Sequence, residues 1–187
     1  MSRPAPTSES AWMLTTSGRQ LNLLDPDPAA ISITDIAHGL AHLCRFGGQC
    51  RRFYSVAQHA FSVSCACDEH DALWGLLHDA TEAYLGDVIQ PLKHTSLLAS
   101  YRRIETRLQV AIAEAFALPL ALPASVLAAD ALVLAQEMRD LMRHCPSTLR
   151  QLADQSRPWP LEPVDPDTAR EWFLRRFEEL TSRRSAA

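Results

Sequence analysis

The chain has 187 residues, 47% of them hydrophobic, with a net charge of -4 and a pI of about 5.9. That is enough material for one domain with a sizeable core, and the mild acidity excludes a general nucleic-acid binder, which needs a basic face. No run approaches the ~18 apolar residues of a membrane span, so the sequence predicts a soluble, cytoplasmic protein with neither nucleic acid polymer nor membrane as a partner.

The opening MSRPAPTSES is polar and carries two prolines. Residues 1-24 are expected to be an N-terminal tail, and 25-187 the folded domain. DPDPAA, residues 25-30, is a turn-rich lead-in. In ITDIAHGLAHLCRF a cap at Thr34 or Asp35 precedes apolar residues at 36, 40 and 43, a helical spacing. GGQCRR breaks that pattern. Ser55 is placed to cap a second helix bearing Val56, Ala60 and Val63. A third helix is expected from Asp71 through Leu85, apolar at 73, 76, 77, 80 and 84. GDVIQPLKH reads as a loop, punctuated by Gly86 and Pro91.

A long helix of mixed charge is expected over residues 97-117, ended by Pro119 and Pro123. Pro123 suits the first turn of the next helix, ASVLAADALVLAQEMRDLMRH. Five prolines between Pro146 and Pro166 predict irregular chain, and Asp167 opens a last helix through Leu180. There is no internal repeat, no hairpin-forming strand pattern and no glycine-rich phosphate loop. The predicted fold class is all-α, a single globular helical bundle. The five cysteines are an odd number without paired CxxC spacing, and are expected to be free thiols.

Three apolar helices carry metal-ligand residue types: His59 in YSVAQHAFSVS, His78-Asp79 in LLHDATE, and Asp130 in VLAADALVL. A buried carboxylate costs several kcal/mol unless it is paired or bound to a metal, on the order given for desolvated ions. Taken singly, each is more often a satisfied core or surface residue than a ligand. Together they offer two imidazoles and two carboxylates, a donor set that suits Mn, Fe, Co, Ni, Zn or Mg. His38 and His42, four apart, have no carboxylate companion of clear spacing. Glu137, two turns after Asp130, is placed to support a ligand or to pair with a cation.

The order His59, His78-Asp79, Asp130 resembles the HD-domain superfamily of metal-dependent phosphohydrolases. CRFGGQCRRFYSVAQHAFSVS, LLHDATEAYLGDVIQPLK and VLAADALVLAQEMRDL together resemble its bacterial 5′-deoxynucleotidase branch, and also phage enzymes that strip triphosphate from dATP. The similarity spans roughly residues 30 to 145. It implies an all-α HD-domain bundle, a homodimer, and one divalent metal ion per subunit (Mn, Co, Fe, Mg or Zn). By position, His59, His78, Asp79 and Asp130 match the metal ligands. Arg45 matches an arginine that contacts phosphate, and Lys93 a lysine that neutralises it. Glu82 matches the carboxylate that activates or positions the attacking water, and Asp87 a residue near the sugar and the scissile phosphate. Gln90 stands where threonine is common. Phe46 stands where a tryptophan often helps to form the sugar or base pocket.

The expected activity is metal-dependent hydrolysis of 2′-deoxyribonucleotides, with phosphate removed from 5′-monophosphates. The alternatives are release of triphosphate from a deoxynucleoside triphosphate, and a nucleotide-sensing HD module without turnover. Glu82 lies four residues after His78, so an unbroken helix would put both on one face. The charges of Arg102, Arg103, Glu105 and Arg107 read as a solvated or dimer-facing helix side.

Overall fold

The computed structural model of the protein describes residues 11–155 and 161–185. Helices dominate it, and the expected all-α class holds. In chain order they are α1 (Ile33–His42), α2 (Val56–Ala66), α3 (Ala72–Leu77), α4 (Glu82–Leu85) and α5 (Gln90–Lys93). The long helices α6 (Ala99–Ala115) and α7 (Ala124–Leu141) follow, then α8 (Ser147–Gln155) and α9 (Pro166–Ser185). Among the described residues no helix is long and apolar enough to cross a membrane. All five cysteines are free thiols.

The centre of the bundle is α2. The Ser55 hydroxyl accepts from the Gln58 amide at 3.1 Å, the N-terminal cap expected from the sequence. Eight of its residues, Val56 to Ala60 and Ser62 to Ser64, are buried, and its exposed residues, Cys65 and Ala66, lie at the C-terminal end. It is packed by α1, α3, α7 and α9. α1 contributes Ile36, Ala37, Leu40 and Ala41, the wall of a helix whose other side is wet. Leu76, Leu77, Leu108, Ile112 and Phe173 complete the main core. Each such leucine contributes about 1.5–3 kcal/mol through burial.

Five expectations need correction. Residues 12-22, assigned to the tail, form an antiparallel hairpin of β1 (Trp12–Leu14) and β2 (Gln20–Asn22). Leu21 of this hairpin is wholly buried in the core. Strands of three residues are too short to show alternation in the sequence. Asp35, read as a helix cap, instead accepts from the Ser17 amide at 2.8 Å and the Ser17 hydroxyl at 2.7 Å, which fastens the hairpin turn to α1. Residues 1-10 lie outside the described part.

The expected third helix is two helices. Between α3 and α4 the Ala80 amide donates to Leu77 at 3.0 Å and the Glu82 amide to Asp79 at 2.9 Å, three-residue steps that tighten the backbone. The His78-Asp79 pair sits on this tight turn. The loop GDVIQPLKH contains α5, with Pro91 in its first turn, where the missing N–H costs nothing. The proline-bearing stretch after Pro146 holds α8, and its residues 156–160 lie outside the described part.

Candidate metal centre

Three elements converge on one point. His59 projects from α2 with its side chain fully buried. Its Nδ1–H donates to Glu137 Oε1 at 2.8 Å, because a carboxylate can only accept. His78 Nδ1–H donates to the Gly75 carbonyl, also at 2.8 Å. Both rings therefore turn Nε2 toward the same spot, the two nitrogens 3.3 Å apart. Asp79 Oδ2 completes the triangle, 3.3 Å from His78 Nε2 and 3.5 Å from His59 Nε2.

This triangle fits a metal ion. With metal–donor bonds of about 2.0–2.2 Å, neighbouring donors stand about 3.0 Å apart in octahedral and about 3.4 Å apart in tetrahedral coordination. His59, His78 and Asp79 form one face of such a polyhedron and could hold an ion. The Nδ1 bonds are the outer support that ligand histidines require, since they set tautomer and ring orientation. Asp130 reaches the group from the His59 side only, its Oδ1 3.2 Å from His59 Nε2.

α7 grips both nitrogens of His59. Asp130 and Glu137 are seven residues apart, two turns, and so share a face. Asp130 meets Nε2 and Glu137 meets Nδ1. Glu137 is fully buried, and its second oxygen accepts from Arg45 Nε at 3.0 Å. Arg45 Nη1 lies 3.6 Å from Asp79 Oδ2. The guanidinium is thus stretched between Asp79 and Glu137.

Charge balance follows from these contacts. Burial and the Arg45 charge oppose protonation of His59, but Glu137 and Asp130 outweigh them and push its pKa up to about 9. Burial opposes ionisation of Asp79, yet His78, His59 and Arg45 hold its carboxyl far below the usual range. Glu137 is likewise desolvated but kept ionised by Arg45 and His59. Without a bound cation, a proton on His59 offsets part of the negative charge of Asp79, Asp130 and Glu137. A divalent ion would displace that proton.

Glu82, at the start of α4, is buried, and its Oε2 has no hydrogen-bond partner. Burial first, then Asp79 and Asp87, raise its pKa to about 9. The unbroken helix expected to join Glu82 to His78 is interrupted by the tight turn. After burial, the Asp79 and Asp87 carboxylates are the neighbours that raise its pKa most. Asp87 is half-buried, and burial also raises its pKa. It follows Gly86, whose φ of 82° and ψ of 157° only glycine adopts without strain.

The loop before α2 delivers Arg45. Backbone pairing of Cys44 with Ser55 closes it, and the Arg45 amide donates to Tyr54 O at 2.9 Å. Phe46 adopts φ 57°, uncommon for a bulky residue, and its ring lies 5.3 Å from the Arg45 guanidinium carbon. Lys93 is not a free cation: its Nζ is 2.5 Å from Glu105 Oε1 on α6. Glu105, read as part of a solvated or dimer-facing side, belongs to this neighbourhood. Only packing of α6 against the α5 loop could reveal it. His38 and His42 stack on each other at 4.2 Å between ring centroids and have no place in the cluster. A larger cavity of 660 Å³, lined by Phe61 and Trp172 between α2 and α9, contains none of the expected site residues.

No family profile matches the chain. It is 42% identical over 125 residues to "Uncharacterized protein RCAP_rcc00048" of Rhodobacter capsulatus, an overlap of 62% of this chain and 63% of that protein. It is 35% identical over 189 residues to "Uncharacterized protein YfdR" of Escherichia coli K12, covering 95% of this chain and 99% of that protein. Over such a length that identity places both in one family, and the chain belongs to the family of Escherichia coli YfdR.

Proposed function

We propose that this protein is a metal-dependent phosphohydrolase of the HD-domain type that acts on 2′-deoxyribonucleotides and removes phosphate from 5′-monophosphates. One observation carries the reading: the His59–His78–Asp79 donor triangle has a guanidinium, Arg45, at one edge and a protonatable carboxyl, Glu82, beside it. His59, His78 and Asp79 would hold the ion, with Asp130 next to His59. When bound, the ion supplies positive charge against the negative charge that spreads over the phosphoryl oxygens.

The chain's own groups do the rest. Arg45, fixed by Glu137, directs its remaining N–H groups at phosphate oxygens. Glu82 is left ionised, and so able to accept, once a cation offsets Asp79, and takes a proton from the attacking water. Oxygen of that water bonds to phosphorus, and the bond from phosphorus to the 5′ oxygen breaks. Asp87, whose proton affinity burial raises, returns a proton to the 5′ oxygen. The products are a deoxynucleoside and inorganic phosphate.

The test is release of phosphate or tripolyphosphate from a panel of deoxynucleoside mono- and triphosphates with Mn, Co or Mg. Phosphate from the monophosphates is expected. Silence across the whole panel would end the reading.

A further inference from the structure

Cys44 and Cys50 flank the loop that delivers Arg45, and their Sγ atoms lie 3.6 Å apart. Both are free thiols and only half-buried, so a small solute can reach them. The other three thiols stand apart from one another. Cys67 and Cys145 each meet a carbonyl oxygen, of Ser64 and Pro146, and Cys65 is exposed. Among the described residues, Cys44 and Cys50 make the one sulfur–sulfur contact.

The fold holds the pair from both sides. Cys44 pairs with Ser55 through the backbone, and the next amide, of Arg45, donates to Tyr54 O at 2.9 Å. Beyond Cys50, the Arg51 amide donates to Leu141 O at 2.9 Å and its guanidinium to Asp140 O at 2.8 Å, so the end of α7 fixes that side. Cys50 itself packs against the buried cluster of Tyr54, Leu141 and Leu161. Between these anchors Phe46, Gly47 and Gly48 take successive φ angles of 57°, 58° and 76°, which curl the loop back on itself. A disulfide bond is about 2.0 Å long, so the sulfurs have about 1.5 Å left to close.

We propose that Cys44 and Cys50 are a modification site: a dithiol that a peroxide oxidises to an intramolecular disulfide, closing a ring around Arg45, and that a thiol reductant reopens. The Cys44 sulfur attacks one peroxide oxygen, the O–O bond breaks, and the other oxygen leaves as water with the Cys44 proton. That step makes a sulfenic acid. The Cys50 sulfur then attacks the Cys44 sulfur, the S–O bond breaks, and its oxygen leaves as a second water with the Cys50 proton. Two electrons pass from the sulfurs to the peroxide. Burial, then the Cys44 sulfur, raises the Cys50 thiol above its ordinary value, which suits it to the second, proton-bearing role. The new bond ends the 3.8 Å contact of the Cys50 thiol with the Arg45 carbonyl. Oxidation therefore acts on the residue that bridges Asp79 and Glu137.

The experiment treats the full chain with hydrogen peroxide in small molar excess, without metal or nucleotide, so its outcome is independent of the phosphohydrolase reading. Thiols counted after denaturation should fall from five to three, and the mass by two hydrogens. Trypsin cuts after Arg45 and Arg51, so the map should show residues 20–45 joined to residues 46–51, and dithiothreitol should part them. The fold, rather than closeness in sequence, should favour the bond. In glutathione buffers the ratio of disulfide to dithiol for this pair should be about tenfold or more higher in the folded protein than in guanidinium. Five thiols surviving peroxide, a different pairing, added oxygen on either sulfur in place of the bond, or equal ratios with and without guanidinium would each overturn the proposal.

Discussion

Glu137 accepts the Nδ1 proton of His59 at 2.8 Å while its other oxygen holds Arg45 at 3.0 Å. One fully buried carboxylate thereby orients an imidazole of the candidate metal site and the Arg45 guanidinium together. Removing it leaves Arg45 buried with only the longer Asp79 contact. Glu137→Ala should destabilise the fold by about 3–5 kcal/mol, the usual cost of breaking a buried pair from one side. It should also weaken metal binding by about 10–100-fold, as loss of an outer-shell partner does. Thermal melts and chelator competition check the two effects. Glu137→Gln keeps an acceptor for His59 and should lose less metal affinity than the alanine variant. Equal metal affinity in wild type and E137A would show that His59 needs no such support.

Asp79→Ala removes one corner of the donor triangle and relieves Arg45 of a neighbour. Metal content after dialysis, read by elemental analysis, should fall from one ion per chain to a trace. Retention of a full equivalent would place the metal elsewhere.

Glu82→Ala should keep its metal, because Glu82 is outside the triangle. Turnover of a deoxynucleoside monophosphate should drop by about 10²–10⁴-fold, the range for loss of a general acid–base group. Full activity with metal retained would remove Glu82 from the mechanism.

The metal-free protein should lose stability as pH rises from about 6.5 to about 9. The folded-state pKa of His59 is raised to about 9, from 6.5. A raised pKa means that its contribution is whole below the unfolded value and is lost as pH climbs through the folded one. Glu82, raised from 4.5 to about 9, acts in the same direction. Asp79, with a depressed pKa, stays ionised throughout this window and adds no slope. Metal binding must remove the His59 proton, so metal affinity should rise across the same interval. Melting temperature and metal titration at pH 6, 7, 8 and 9 should therefore move in opposite directions. Parallel trends would contradict the charge balance of the site.

Gly39 of α1 faces α4 at contact distance. A Cβ there would stand 2.8 Å from the Ala83 carbonyl oxygen and 2.9 Å from the Ala83 Cβ. Gly39→Ala should cost about 1–3 kcal/mol by overpacking and push α4, with Glu82, out of place. Denaturant unfolding measures the first effect. Turnover falling more than metal content reports the second.

Much of this was legible along the chain. Polar residues stranded among leucines and alanines, His59, His78, Asp79 and Asp130, had no clear local partner, and that mismatch together with the HD-domain resemblance pointed to a shared site. Ser55 announced its helix because capping is a short-range bond within three residues. The hairpin was invisible because its strands are three residues each, and its anchor, Asp35, is reached across eighteen positions. The break at His78–Thr81 was hidden by an unbroken apolar pattern that suits one helix as well as two.

The sequence by itself determined the helical class and the order of the candidate metal-ligand residues, since periodicity, capping and burial cost are properties of neighbours along the chain. Only the tertiary structure decided which carboxylates serve which partners. Glu137 went to His59 and Arg45, Glu105 to Lys93, and Asp35 to Ser17. A charged side chain's partner is set by whichever helix packs a few ångströms away, and no local pattern encodes that distance.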